Sequence, residues 1–425
     1  MSSVPLRLVL PKRCPSRQVT ALLSCRHRVV FAATAALAAV ATCSAAERKY
    51  GPGVTDTEIK IGQTMPYSGP LSAYGAIGRA QLAYFAKLNA DGGINGRKVR
   101  LISLDDGYNY AKTVEAVRRL VEQDGVLLLF GLVGKSTNLA IRRYANVNHV
   151  PHLFIASGAS DWADAVHFPW TMGWAPTYTL KARLYATHIL NNLPHARIGL
   201  LYANDDYAHE YVRGFKEALG TNATAMIIAE QTVEQTDAAL DAQIHALRAL
   251  GVDTLVSAME GKRTSQALRK MAEIGWHATH YVAVASTVTK VILERAGVAN
   301  TVGLISAHYA KDIDFAKYRE DPDVRAYDAW AKSYYAGDPY DGLASYGYQA
   351  AQALEYVLRR CGEDLTRENV MRVATTMKDV ELPLMLPGVR VSTSPTDYHP
   401  IKQLRMLRFD GDSWEVMRDV SAVGP

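Results

Sequence analysis

Cysteine is nearly missing from this chain, with four among 425 residues, at Cys14, Cys25, Cys43 and Cys361. Three of them fall within the first 46 residues, so the remainder holds a single thiol and cannot close an internal disulfide. A charge excess of either sign is lacking as well. The whole chain carries +5, but residues 1–46 hold six of the 47 Lys plus Arg and none of the 42 Asp plus Glu. Beyond them 41 basic side chains face 42 acidic ones, a balance of −1, which leaves no electrostatic footprint for nucleic acid or an anionic membrane surface. His149, His152, His167, His188, His195 and His209 are scattered without metal-ligand spacing, so no metal site is expected. Repeats of 20 to 50 residues and low-complexity stretches are absent beyond the leader, and a composition of 48% hydrophobic and 21% charged residues excludes disorder.

A nucleotide loop is also missing, although one stretch resembles it. Residues 127–138, LLLFGLVGKSTN, run from an apolar strand into Gly131, Gly134, Lys135, Ser136 and Thr137. A phosphate-wrapping loop needs four residues between its glycines, and Leu129 stands where the first glycine belongs. The turn is too short to encircle a diphosphate, but the helix start behind it still offers free N–H groups to an anion. Ser157 in ASGAS lacks the G-x-S-x-G setting of a nucleophile, and no cofactor pattern is present.

What is present begins with a leader. Arg7, Lys12, Arg13, Arg17, Arg26 and Arg28 precede an alanine-rich apolar run from Val29 to Ala41 that ends in Ser44, Ala45 and Ala46. A basic region, a short apolar segment and small residues in that order predict a secretory signal peptide over 1–46. The apolar run is too short and too alanine-rich for a membrane anchor. Val40-Ala41-Thr42-Cys43 is a poor lipoprotein box, so a lipid on Cys43 is the lesser expectation.

After a Gly-, Pro- and Thr-rich tether over 50–57, strand-like runs alternate with helical patterns. The first series is 58–64, 98–104, 126–130 and 152–156; the second is 197–202, 225–229, 253–258, 280–284 and 302–308. Such alternation predicts an α/β fold of two doubly wound lobes with parallel sheets. Tyr211, Phe215 and Leu219 at i, i+4, i+8 mark the core stripe of a helix starting near Tyr207, and Leu343, Tyr346, Ala350, Leu354 and Leu358 line a face of a later one. Near the end, 403–417 reads as a hairpin turning at 410–413. In open parallel sheets ligands bind beyond the carboxyl ends of strands. There this chain offers Ser68, Gly69, Pro70 and Tyr74, then the 131–135 turn, then IASGASDWAD over 155–164, whose Gly and Ser donors suit a carboxylate.

The ordered succession SGPLSAYG, GGINGRKVRL, FGLVGKSTNLAIRRYANVNHVPHLFIASGAS, FPWTMGW and YANDDYAHEYVRGFKEAL resembles the periplasmic solute-binding proteins of the branched-chain amino acid (leucine/isoleucine/valine-binding type) ABC transporter family, from about residue 56 onward. The resemblance implies a type I periplasmic binding protein: two lobes joined by a three-segment hinge, 57–175 with 308–386 and 176–307 with 387–421. It implies a monomeric, non-enzymatic, periplasmic binder without cofactor, serving an ABC permease in the inner membrane. Carried over by position, Tyr74 packs over the ligand, Val133, Gly134 and Lys135 form one carboxylate loop, and Ser157, Ala159 and Ser160 form a second. Tyr207, Glu260 with Gly261, and Ala285 with Ser286 close from the far lobe.

Two departures bear on the ligand. Ala285 stands where amino acid binders place an acid for the α-ammonium group, and Lys135 stands where they place a small hydroxyl residue. Gaining a cation and losing an anion favours a small hydrophobic or aromatic carboxylate over an amino acid, since an unpaired buried ammonium costs several kcal/mol. Glu260 can take over the ammonium, which keeps a branched-chain amino acid as the alternative. Trp162, Trp170 and Trp174 either build an aromatic slot or pack the lobe core.

Overall fold

The computed structural model describes residues 48–417 apart from 70, 235–236, 260–261, 288–291, 315 and the side chain of 316. The expected signal peptide with Cys14, Cys25 and Cys43, and the expected site residues Glu260 and Gly261, lie outside the described residues.

The chain enters through a two-residue strand, β1 (Lys49–Tyr50), and then builds a first sheet from β2 (Glu58–Met65), β3 (Lys98–Asp105), β4 (Leu128–Phe130), β5 (His152–Ile155) and β6 (Thr171–Gly173). All pairs are parallel, in the order β3-β2-β4-β5-β6. The central strand β4 is buried on both faces, as the unbroken apolar run around it requires when helices cover both sides of a parallel sheet.

The second sheet takes β7 (Ile198–Ala203), β8 (Ile227–Val233), β9 (Thr254–Ala258), β10 (Thr279–Val282) and β11 (Ile305–His308). After a short β12 (Asp364–Leu365) the chain returns to it with β13 (Arg405–Phe409) and β14 (Trp414–Val416). Its order is β14-β13-β11-β10-β9-β7-β8, with β13 and β14 antiparallel and the rest parallel. The hairpin expected at 410–413 is therefore the edge of this sheet, its turn held by Ser413 and Asp412 N–H groups donating to Asp410 Oδ1 at 2.7 and 2.8 Å.

This is the type I arrangement, two α/β lobes with a three-segment hinge: the chain passes between the sheets after β6, after β11 and again before β13. The tether over 50–57 is more ordered than its composition suggests. β1 pairs in parallel with β12, and buried Arg97 donates to Tyr50 Oη and Glu363 Oε2, both at 2.7 Å, fastening the entry to the later helices.

Two helix pairs flank the seam between the lobes. The Tyr178–Asn192 helix packs along Asp206–Leu219, whose Tyr211, Phe215 and Leu219 are buried as their spacing predicts. The Gly75–Ala90 helix packs along Gly342–Cys361. Thr177, Asp205 and Asp341 each cap the helix that follows by accepting a backbone N–H, a contribution of about 1 kcal/mol apiece. Those caps fix the helix starts that face the seam.

Candidate functional site

A cavity of about 550 Å³ lies between the two sheets, walled by the loop after β5, the starts of the seam helices and the segment that follows β11. Its size falls in the roughly 300–1,000 Å³ range of small-molecule sites. Tyr74 and Leu343 face it from the first lobe, Tyr178 and Tyr207 from the second, with Tyr309 and Tyr346 beside them. The rings are ordered against one another. Tyr178 meets Tyr207 edge to face at 4.7 Å and stacks on Tyr211 at 5.5 Å, geometries that favour aromatic pairs.

The β5 turn brings its backbone to this wall because residue 158 is glycine. A Cβ there would meet Pro176 O at 2.6 Å and the Tyr178 ring at 2.8 Å. Tyr178 N–H instead donates to Gly158 O at 2.7 Å, and Ser157 Oγ sits 3.3 Å from Tyr178 Oη.

Of the positions expected from sequence, Tyr74, Ser157, Tyr207 and Ala285 line the cavity. Val133, Gly134, Lys135, Ala159, Ser160 and Ser286 do not. Gly134 has φ +96°, and a Cβ on it would lie 2.3 Å from the Tyr108 ring, so its glycine serves close packing in the β4 turn. Ser286 is spent behind the wall, its Oγ 2.8 Å from Thr264 Oγ1 and 2.5 Å from Met259 O. Ala159 is packed with Ile155 and Trp162.

Lys135 has a different use. Its Nζ lies 3.1 Å from Asp161 Oδ2 and 3.4 Å from Oε2 of Glu210, which comes from the opposite lobe. Burial lowers the Lys135 pKa, but the two carboxylates outweigh it and hold the group above its usual value. Glu210 is only 2% exposed and also accepts the Ser160 N–H at 2.7 Å. The turns expected to cradle an anion do hold a carboxylate, and it is the protein's own.

The cavity is lined by other cations, Lys262 and Arg263 among them. Lys311 is neutralised by Asp321 at 2.7 Å and Asp323 at 3.0 Å. Lys181, 2% exposed, has its Nζ 5.4 Å from the Tyr178 ring centre and no hydrogen bond or ion pair to any described residue. Burial pulls its pKa down to about 7, against the opposing pull of Glu210. His308 Nε2 is buried without a partner among the described residues, and burial, helped by Lys181 and Lys317, pushes that ring to about 3. Asp312 also lines the cavity, as does Asp341, and burial raises Asp312 to about 7.

The sequence reading missed Lys181, His308 and Asp312, yet each left a trace. Lys181 lies at i to Leu184, Tyr185 and His188 at i+3, i+4 and i+7, all buried, which puts a lysine on a core-facing stripe. His308 and Asp312 follow the carboxyl end of β11, the same topological rule that singled out the other loops.

Trp162 and Trp174 are core residues, Trp174 packing on Phe154 at 5.3 Å, and Trp170 stacks on His149 at 5.0 Å; none lines the cavity. His152 is buried on Asn138 at 2.8 Å and His188 on Tyr281 at 2.7 Å. No group of His, Cys, Asp and Glu among the described residues is arranged to hold a metal ion, and no described helix is long and apolar enough to cross a membrane.

Residues 58–413 match the sequence model of a family described as periplasmic binding protein. A Leu/Ile/Val-binding protein homolog 7 from Brucella suis biovar 1 (strain 1330) is 26% identical over 140 residues, 33% of this chain and 32% of that protein. The chain thus matches about a third of the length of that curated relative. Among solved structures, a branched chain amino acid ABC transporter from Thermus thermophilus with bound valine superposes with TM-score 0.77 at 17% identity, covering 88% of this chain and 98% of the other. A fatty acid ABC transporter substrate-binding protein from Thermomonospora curvata gives 0.73 at 19%, covering 89% and 95%. At these identities the structural likeness speaks for the fold alone.

Proposed function

The chain belongs to the periplasmic binding protein family, and from that premise we propose that it captures a small hydrophobic or aromatic carboxylate between its lobes by hinge closure. It hands that cargo to an ABC permease in the inner membrane, acts as a monomer, and binds without turnover. The observation that carries this reading is the cavity, ringed by tyrosines from both lobes, with Lys181 buried in its wall and without an ion pair to any described residue. Apolar area on the rings supplies affinity, and an acid is the ligand charge that a buried cation rewards. In this reading Tyr74 and Tyr207 sandwich the apolar body, with Ser157 beside them on the β5 turn. Val133, Gly134, Ala159 and Ser160 shape the turns behind, Ser286 braces the second lobe, and Glu260 with Gly261 closes from the far side.

A second reading, a branched-chain amino acid, is favoured by Asp312. A desolvated carboxyl in the same cavity can receive an α-ammonium group, the role that Ala285 leaves empty.

A thermal-shift panel of octanoate, benzoate and leucine separates the two. A ligand at about a hundredfold its dissociation constant adds roughly 3 kcal/mol of stability. The acids are expected to stabilise and leucine to have little effect. Strong stabilisation by leucine alone moves the assignment to the second reading.

A further inference from the structure

Resting on that carboxylate reading, we propose that Lys181 and His308 together form the headgroup receptor of the cavity and that loading it draws a proton onto the protein. The receptor lies on the second lobe and the strand that leads out of it, away from the glycine-serine turns of the first lobe.

Three observations meet there. Lys181 and His308 both line the cavity, and both are more than nine-tenths buried. Lys181 Nζ has no described partner, and neither does His308 Nε2. Burial, helped by the lysine charge, keeps the histidine neutral, so the cavity wall offers an ammonium and a neutral imidazole. The first-lobe turns, in contrast, are occupied by the Glu210 carboxylate, so a ligand acid arriving there meets a like charge. A carboxylate at Lys181 gains an ion pair in a desolvated site and supplies the missing acceptor, while the N–H tautomer of His308 can donate from Nε2.

The proton follows from the empty state. Burial holds the vacant Lys181 near a pKa of about 7, and a bound anion raises it toward the ordinary lysine range. Above pH 7 the empty ammonium loses its proton and must regain it to bind. The charged groups that face Lys181 do not cancel this. Glu210 on the Asp206–Leu219 helix opposes the depression and is already counted in that value, His308 at the end of β11 is neutral, Lys317 beyond it is paired with Glu415 at 2.8 Å, and Lys262 and Arg263 on the cavity wall add positive charge. Asp312, after β11, ionises over the same range and weakens acid binding in the same direction, so its share has to be removed separately.

Isothermal titration of octanoate into the protein, its Lys181→Met variant and its Asp312→Asn variant between pH 6 and 9 tests the assignment. Wild-type affinity is expected to fall about tenfold per pH unit above 7. Lys181→Met is expected to bind at least a hundredfold more weakly at pH 6 with a shallow profile that only Asp312 sets, to lose its preference for octanoate over octanamide, and to melt higher when empty. Asp312→Asn is expected to keep most of the slope. Independently of any variant, wild-type titrations at pH 8 in phosphate and in Tris should differ by close to one proton taken up per ligand bound. Equal octanoate affinity in wild type and Lys181→Met, or no proton uptake at pH 8, overturns this receptor while leaving the carboxylate reading in place. Absence of binding by both octanoate and benzoate to the wild type overturns both.

Discussion

Glu210 crosses the seam between the lobes to lie 3.4 Å from Lys135 Nζ, and its other oxygen accepts the Ser160 N–H at 2.7 Å. A carboxylate this deeply buried is tolerable only while both partners are in place, since removing one leaves an uncompensated charge. The contact joins the two lobes, so losing it should make their separation easier. Lys135→Met is expected to lower stability by about 2 kcal/mol, below the full buried-pair figure because Lys135 is partly exposed and Asp161 shares it. Small-angle scattering should show a larger radius of gyration for the empty variant. An unchanged radius and unchanged urea midpoint would remove that role from the account.

Gly134 tests what the β4 turn is for. Gly134→Ala forces a left-handed backbone and drives a methyl group into the Tyr108 ring, which is expected to cost about 2–3 kcal/mol in chemical denaturation. ATP should change neither the wild-type nor the variant midpoint. A nucleotide-dependent gain in stability would restore the phosphate reading of that turn.

The tyrosines should separate affinity from folding. Tyr74→Ala and Tyr207→Ala remove rings on opposite sides of the cavity, and each is expected to weaken ligand binding ten- to a hundredfold, the loss of about 1.4–2.7 kcal/mol of ring contact. Tyr346→Phe, which removes a buried hydroxyl without a described partner, should leave stability unchanged or raise it. Affinity indifferent to both alanine variants would place the ligand elsewhere.

Stability should fall on the acid side. Burial pushes His152, His280 and His308 down to about 3, whereas the unfolded chain protonates its histidines near 6.5. As pH drops below 6.5 the unfolded state therefore binds protons the fold refuses, at about 1.4 kcal/mol per pH unit for each ring. Asp312 opposes one of them, because its raised pKa lets the fold take a proton between about 7 and 3.8 before the unfolded chain does. On the alkaline side the depressed Lys181 works the other way round: the unfolded chain keeps that proton up to about 10.5, so stability rises from pH 7 toward 10. Urea midpoints from pH 4 to 9.5 check both arms, and a flat curve below 6.5 contradicts the burial of the three rings.

The fold was legible because its signals are local. Apolar runs bounded by turns marked the two strand series, and the i, i+4, i+8 stripe of Tyr211, Phe215 and Leu219 marked its helix. Pairing of β1 with β12 was hidden, since two residues carry no periodicity and their partner lies far along the chain. The site was legible where one residue sits in the loop or helix start that follows a strand, as Tyr74, Ser157 and Tyr207 do. Lys135 misled the reading because its partner, Glu210, belongs to the other lobe, and nothing in either local sequence records that meeting. Lys181 was readable in principle, as a lysine on the buried stripe of Leu184 and Tyr185, but it was passed over because its helix is not a strand-end loop.

The most direct measurement is a crystal structure of the protein grown with octanoate. The account predicts the alkyl chain between Tyr74 and Tyr207, inside the cavity between the two sheets, with the lobes joined through Glu210 and Lys135. Octanoate bound outside that cavity, or lodged on the β4 turn at Gly134, would contradict it.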